Sequence, residues 1–505
     1  MPRLFAALPE HTMDDVAQFL RFVTQFAPHV LEELSVEELD DFVTLMVTFI
    51  GSPSYVKNPY LRARFTTLLR FLVPRSEDND YSGHGSERLA AVFHSNALAK
   101  RCLAPALMQF FVDIEFTGAH TGAYDKYTYR HEMNQILDYF WSLQEYRASM
   151  VGFTHDTQRF VRFVNMMIND SIYSMDEALT KLAGIKALQL EIDDEASWAR
   201  QPRQQAMQRR RQMEQDESSA RYFMVFTTEV LHMIEYLSSE KEVAVVFMLP
   251  ELVSRISQML NYFLVKLIGP TCANLKVRDP DKYSFQPRRL LLKICTIITH
   301  FAPFPEFGNA VVRDERSYNV ANMRKAIRVL SGGAVHIMSA QGLTKLEAFA
   351  DACVELKQHT AEIEAELGES HTFIFFHWSH LPFFHWSHFP GFPFVTRDYF
   401  VLGDVPEDLA DPITQELMED PVRLPSGYVL DRATICRHLL SDETDPFTRA
   451  RLTVEMLQPA PEVKEQIAAF RRERLGGGAA DAAADASAAD AKSLPVEQSQ
   501  PMELS

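Results

Sequence analysis

Cysteine is scarce and scattered. The 505 residues include five, at Cys102, Cys272, Cys295, Cys353 and Cys436, and no two of them lie within four positions of each other. No C-x-x-C pair exists, so no four-cysteine zinc site can be assembled locally. An odd, dispersed set fits reduced thiols in the cytoplasm or nucleus. An excess of positive charge is also missing. Lys and Arg number 50 against 68 Asp and Glu, a net charge of −18. That argues against a surface built for nucleic acid, because phosphate binding wants clustered Lys and Arg. Long uninterrupted apolar runs are absent too. The N-terminus shows no apolar stretch followed by a small-residue cleavage site. The best membrane candidate, residues 373–395, is broken by His377, His380, His385, His388 and several prolines, which make a spanning helix costly. Ser331-Gly332-Gly333 is not followed by Gly-Lys-Ser/Thr, so no nucleotide-binding loop is present. These absences point to a soluble chain with no membrane span and no cofactor.

What is present is helix. The hydrophobic share of 47% is enough for large cores. Strand alternation is rare before residue 367. In 251–268, Leu252, Val253, Ile256, Met259, Leu260, Phe263, Leu264, Leu267 and Ile268 recur at three- and four-residue steps, giving one broad apolar face. Pro250 precedes the first turn and Gly269-Pro270 stops the last. Similar patterns predict helices over 13–26, 36–50, 60–71, 129–141, 157–173, 222–237 and 288–299. Many helices with short breaks suggest a mostly α chain, an α-solenoid of stacked helical pairs with degenerate repeats.

Three stretches depart from this pattern. Residues 200–221 are rich in Gln, Arg and Glu and contain Arg209-Arg210-Arg211. A long solvated helix is the ordinary fate of such a run, with an anion-binding patch as the alternative. Residues 373–394 repeat Phe-Phe-His-Trp-Ser-His-Leu-Pro as Phe-Phe-His-Trp-Ser-His-Phe-Pro. His-x-x-His without acidic or cysteine ligands is a weak metal signal. The segment therefore reads as an aromatic, histidine-rich linker insertion and no metal site is expected. The Gly-, Ala-, Asp- and Ser-rich tail 476–505 has little to bury and is expected to be disordered.

Between 404 and 475 the character changes. Pro406, Pro412, Pro421, Pro425, Gly427 and Pro446 punctuate short segments. Residues 420–424 and 426–430 read as a small hairpin, Asp431-Arg432 opens a helix over 433–440, and a last helix spans 461–474. The run Asp-Pro-Ile-Thr-Gln-Glu-Leu-Met-Glu-Asp-Pro-Val, then Pro-Ser-Gly, Asp-Arg and Asp-Pro-Phe-Thr-Arg, resembles a U-box, the zinc-free relative of the RING domain. The resemblance implies a small α+β domain whose two loops are tied by hydrogen bonds and ion pairs from Glu416, Asp420, Ser426, Asp431, Arg432 and Thr448. It implies that Ile413 and Pro446 touch a ubiquitin-conjugating enzyme. His438 and Leu439, on the helix between the loops, would flank that groove. Gln415 stands where U-boxes often carry a hydrophobe. Arg449 matches the cation that bridges conjugating enzyme and ubiquitin and holds the loaded pair in its reactive pose. Cys436 lies on a helix with no activating His clearly placed and reads as inert packing.

The body carries a second resemblance. Ser52-Pro53-Ser54-Tyr55-Val56-Lys57-Asn58-Pro59-Tyr60-Leu61-Arg62, Phe116-Thr117-Gly118, Tyr124-Asp125-Lys126-Tyr127, Met259 to Leu264, Asn274-Leu275-Lys276-Val277, Asp281 to Phe285 and Asp314 to Tyr318 are similar to the core of the ubiquitin chain elongation factors, ligases named for degradation of ubiquitin fusions. Family members usually carry several hundred further residues ahead of this core, so a short form or an incomplete sequence is expected. The resemblance implies armadillo-like repeats over 9–367, then the 368–403 linker, the 404–475 U-box and the 476–505 tail. It also implies extension of polyubiquitin chains on ubiquitylated substrates for proteasomal degradation, and partnership with an AAA segregase ATPase. The alternative is a non-catalytic scaffold whose U-box docks partners without promoting transfer. The Tyr124-Asp125-Lys126 cluster reads as structural, joining helix to helix.

Overall fold

The computed structural model describes residues 10–74, 85–116, 125–332, 337–366 and 406–470, with 407 and 416 excepted. Expectations for the 368–403 linker, the tail, Tyr124 and Glu416 fall outside these residues. The chain divides into two units, Met1–Ile363 and Glu364–Ser505.

The first unit is helical. Its main elements are α1 (Glu10–Phe26), α2 (Val36–Ile50), α3 (Pro59–Leu72), α4 (Ala97–Asp113), α5 (Asp125–Ser142) and α6 (Thr157–Asp193). They continue with α7 (Arg203–Ser239), α8 (Pro250–Ile268), α9 (Pro287–Phe301), α10 (Pro305–Arg313), α11 (Val320–Ser331) and α12 (Ala340–Glu366). Local chemistry sets their starts. Proline opens α3, α8, α9 and α10, where its missing N–H costs nothing. Ser35 and Glu38 form a reciprocal capping box on α2, while Asn96 and Asp156 cap α4 and α6. Gly269 ends α8, and a Cβ there would come within 2.3 Å of the Val265 carbonyl oxygen.

α2 packs on α3, α4 on α5, α6 on α7 and α8 on α9. Successive pairs stack so that α2, α4, α6, α8 and α10 form one layer and α3, α5, α7, α9 and α11 the other. This is the solenoid of stacked helical pairs expected from the helical pattern, armadillo-like as the family resemblance implies. Aromatic contacts join the layers: Tyr127 of α5 stacks on Tyr173 of α6 at 5.3 Å and meets Phe226 of α7 edge-on at 5.4 Å. Two helices are longer than periodicity predicted. α6 runs twenty residues past Tyr173, and the arginine-rich run is the first half of α7. Among the described residues no single helix is long and apolar enough to cross a membrane.

A repeated device holds the stack. Arg62 of α3 donates to the carbonyl of Ile50, the last residue of α2, at 3.1 and 2.7 Å, and pairs with Asp113 at 2.9 Å. Arg130 of α5, fully buried, donates to the Phe111 carbonyl near the end of α4 at 3.1 and 2.9 Å and pairs with Asp170 at 2.8 Å and Glu115 at 2.9 Å. Each guanidinium also lies over a ring, Phe110 at 4.5 Å and Phe111 at 4.6 Å. Lys325 of α11 repeats the contact nearer the surface, donating to Ile268, the last residue of α8, at 2.7 Å. Helix C-termini leave carbonyls without partners and carry partial negative charge, which a cation satisfies. Lys126 pairs with Glu115 at 2.7 Å, so Lys126 is part of the same joint. Burial pushes the Glu115 carboxyl up, but Arg130 and Lys126 outweigh it and hold it below the usual range.

The second unit is small. β1 (Pro421–Arg423), β2 (Val429–Asp431) and β3 (Gln458–Pro459) form an antiparallel sheet in the order β2-β1-β3, with Val422 opposite Leu430 and Pro459. The β1–β2 turn closes through Gly427 at φ +93°, a conformation that glycine adopts without strain. α13 (Arg432–Ser441) follows β2, and residues 461–470 form the last described helix, α14. Two cores result. Val422, Leu424, Leu430, Ile435, Leu439, Leu452 and Leu457 bury together around α13. Leu409, Leu417, Met418, Ala460, Val463 and Ile467 bury around α14. β3 was not expected from the sequence.

Candidate functional site

The second unit contains two loops of one design. In the first, Asp411 is 1% exposed and its Oδ1 accepts from the backbone N–H of Ile413 at 2.8 Å and Thr414 at 3.1 Å. In the second, Asp445 is 2% exposed and its Oδ1 accepts from Phe447 at 2.8 Å and Thr448 at 3.0 Å. The Asp411 carbonyl accepts from the Gln415 N–H at 2.7 Å, and the Asp445 carbonyl from the Arg449 N–H at 2.9 Å. Gln415 and Arg449 both sit at φ +61°. Short bridges close the loops, Ala410 to Leu417 and Thr444 to Arg451.

The second oxygen of each carboxylate ties its loop to the hairpin. Asp411 Oδ2 accepts from the Asp431 N–H at 2.8 Å, and Asp445 Oδ2 accepts from Ser426 Oγ. Burial raises the Asp445 carboxyl, but the bonds from Ser426, Thr448 and Phe447 outweigh it, and the group stays ionised below its ordinary range. Sequence reasoning singled out neither aspartate. The signal was there: Asp-Pro-Ile-Thr at 411 recurs as Asp-Pro-Phe-Thr at 445.

The expected bracing residues occupy the joints between these parts. Asp431 caps α13 through Ala433 at 2.9 Å and accepts from the N–H groups of Glu419 at 2.6 Å and Asp420 at 3.0 Å. Asp420 accepts from Lys464 at 2.8 Å and Arg432 at 2.7 Å, bonds that hold its carboxyl below the usual range. Thr448 Oγ accepts from the Ala450 N–H at 3.4 Å.

The expected contact residues divide. Ile413 is half-buried, resting on the α13 core, and Pro446 is half-buried on the second loop. Gln415 is exposed and its Nε2 donates to the Pro412 carbonyl at 3.1 Å. Arg449 has 75% of its side chain exposed, with Asp442 at 3.6 Å. His438 and Leu439, expected to flank the groove, are instead turned inward. Leu439 belongs to the core, and His438, also buried, contacts the Thr444 carbonyl through Nε2 at 2.7 Å. With Ile435 they form the i, i+3, i+4 face by which α13 lies on the sheet, so they support the second loop from beneath. A further aromatic pair stands at the surface: Phe447, beside Pro446, stacks on Tyr428 of the hairpin at 4.1 Å. Cys436 is half-buried against the same core. Among the described residues no group of three or more His, Cys, Asp or Glu is arranged to hold a metal.

The chemistry this arrangement offers is docking and orientation. Two stiff loops present half-buried hydrophobes and one outward cation.

Comparison with known proteins agrees. Residues 1–353 match the model of the ubiquitin elongating factor core, and residues 405–475 match the U-box domain. A probable ubiquitin conjugation factor E4 of Arabidopsis thaliana is 33% identical over 476 residues, covering 93% of this chain and 41% of the relative. The ubiquitin conjugation factor E4 A of Bos taurus is 31% identical over 484 residues, with 93% and 41% covered. The E4 ubiquitin-protein ligase UFD2 of Saccharomyces cerevisiae is 28% identical over 479 residues, with 94% and 45% covered. The chain thus spans less than half the length of these relatives. It belongs to the ubiquitin elongating factor core family and carries a U-box domain.

Proposed function

We propose that this chain is a U-box ubiquitin ligase that recruits a ubiquitin-charged conjugating enzyme and promotes transfer to lysine, extending chains on substrates already ubiquitylated. It forms no covalent intermediate of its own; the conjugating enzyme's thioester is the reacting bond, and the U-box holds it in a reactive pose. The observation that carries this reading is the pair of aspartate-anchored loops. They hold Ile413 and Pro446 half-buried on the loops and leave Arg449 largely exposed beside Asp442. This supports a reading in which the two hydrophobes dock the loaded carrier and Arg449 bonds its carbonyls. Proteasomal degradation of the substrates, including those of the endoplasmic reticulum, and partnership with an AAA segregase belong to the same proposal by family likeness. So does residence in cytoplasm and nucleus, for which the odd and scattered set of five cysteines speaks.

The test is discharge of ubiquitin from a panel of charged conjugating enzymes to free lysine. The full chain speeds discharge with at least one enzyme, and Arg449→Ala and Ile413→Ala each slow it roughly tenfold, as truncation of an interface anchor does. Circular dichroism of both variants separates loss of docking from loss of fold. No acceleration across the panel would leave a scaffold that docks partners without promoting transfer.

A further inference from the structure

The sharpest concentration of positive charge lies far along the chain from the U-box, at the start of α7. Residues 199–213 contain Arg200, Arg203, Arg209, Arg210 and Arg211 and no Asp or Glu, in a chain of net charge −18. α6 and α7 are each 37 residues long, about 55 Å at the helical rise. Burial on α6 ends at Gln189 and on α7 begins at Ala220, so roughly the first four turns of α7 stand outside the core. Their base is braced. Glu217 accepts from Tyr283 Oη at 2.8 Å and pairs with Lys282 at 2.7 Å, while Asp216 pairs with Lys181 at 2.8 Å.

On this projecting stretch Arg203, Met207, Arg210 and Arg211 fall at i, i+4, i+7 and i+8, one face of a helix, and all four are exposed. Met207 is 49% exposed, an unbranched apolar side chain set among guanidinium groups. Arg209 differs: it pairs with Glu191 at 2.5 Å. Both it and Arg210 lie over the Trp198 ring at 5.8 Å, which limits how far these side chains can swing. Among the described residues no carboxylate is within ion-pair distance of Arg203, Arg210 or Arg211.

We infer that this face of α7 docks an acidic polypeptide segment, its carboxylates pairing with Arg203, Arg210 and Arg211 and an apolar side chain covering Met207. Charge complementarity selects the occupant. The patch is local, and charges beyond about 10 Å are screened at physiological salt, so a short acidic segment meets the arginines without the repulsion that the acidic body imposes on a long polyanion. Met207 gives a carboxylate-and-leucine segment an apolar contact that a phosphate backbone cannot use.

Fluorescence anisotropy on the full chain tests this, with three labelled probes: a short peptide of Glu, Leu and Ala, the same peptide with Gln for Glu, and a single-stranded oligonucleotide. The Glu peptide should bind most tightly and weaken as salt is raised. Replacing Arg203, Arg210 and Arg211 together by Gln should weaken it about tenfold, the sum expected of three exposed ion pairs, and Met207→Ser should weaken it further. These side chains are exposed, so the variant should unfold at the parent midpoint; if it does not, Arg211→Gln alone and the salt series carry the test. The inference fails if the Gln peptide binds equally well, if the arginine variant binds as the parent does, or if the oligonucleotide binds more tightly than the Glu peptide.

Discussion

In the helical unit Arg62 and Arg130 carry buried cations to the carbonyl ends of helices, whereas in the U-box Asp411 and Asp445 carry buried carboxylates to the amides of loops. The backbone explains the reversal. A helix end leaves carbonyls pointing outward without partners, and a cation from the neighbouring layer satisfies them. A tight loop turns successive N–H groups inward, and only an acceptor satisfies those. One unit joins preformed elements, and the other stiffens segments that have no regular structure. A buried charge therefore has to be read by the backbone group it meets.

The largest expected effect comes from Arg130→Ala. It strands Asp170 in the core and should cost about 3–5 kcal/mol, the usual result of breaking a buried pair from one side. Arg62→Ala should cost less, because Asp113 is 25% exposed and can be hydrated. Urea unfolding of the full chain, followed by circular dichroism, measures both; equal losses would mean that burial of the partner is not what separates them. Next come Asp411→Ala and Asp445→Ala, each removing charge-assisted bonds to backbone amides and each expected to cost about 2–3 kcal/mol. Hydrogen exchange should rise at the Ile413 and Thr414 amides in one and at Phe447 and Thr448 in the other. A loss confined to one loop would break their equivalence.

Acid gives a subtler separation. The Asp445 carboxyl titrates below its unfolded value of 3.8. Its stabilisation is therefore present above about pH 4 and disappears as pH falls through the folded value. A pH series of unfolding midpoints checks this, and Asp445→Asn should flatten the acid limb. The smallest effect belongs to the left-handed positions. Gln415→Gly and Arg449→Gly should leave the U-box as stable as before or raise its stability by about 0.5–1 kcal/mol, the strain of a side chain at φ +61° offsetting the flexibility of glycine. Arg449→Gly should nonetheless slow ubiquitin discharge. A variant that is stable and slow assigns Arg449 to function; one that is unstable and slow returns it to the loop.

Helices were legible wherever apolar spacing and a proline or cap coincided. The expectation over 36–50 matches α2, and Pro250 and Gly269 bound α8. α7 was underestimated because its residues before Ala220 are polar and carry no apolar period. The second half of α6 does carry one, at Met175, Ala178, Leu179, Leu182 and Ile185, which the sequence reading stopped short of. In the U-box the turn residues Pro425, Ser426 and Gly427 announced the hairpin, while β3, two residues long and containing Pro459, gave no alternation to read. Ile413 and Arg449 were visible as surface candidates. The inward turn of His438 and Leu439 was not, since spacing along a helix defines a face but not which neighbour it meets. Asp411 and Asp445 were overlooked because an acidic residue in a loop is ordinarily solvated; here the repeated Asp-Pro marks a carboxylate folded back on its own chain.

Because both loops share one scaffold, side chains at matching positions are exchangeable in principle, with Ile413 the most constrained because it also rests on the α13 core. Positions 413 and 447 occupy corresponding places, as do 415 and 449, and none of these four side chains supplies the buried carboxylate that holds its loop in shape. A protein engineer could transplant the second loop's Phe and Arg onto the first, or grade the first loop's affinity through residue 415, while the aspartate anchors keep the geometry. On the proposed function, the choice of carrier protein would then become a matter of decorating a fixed frame.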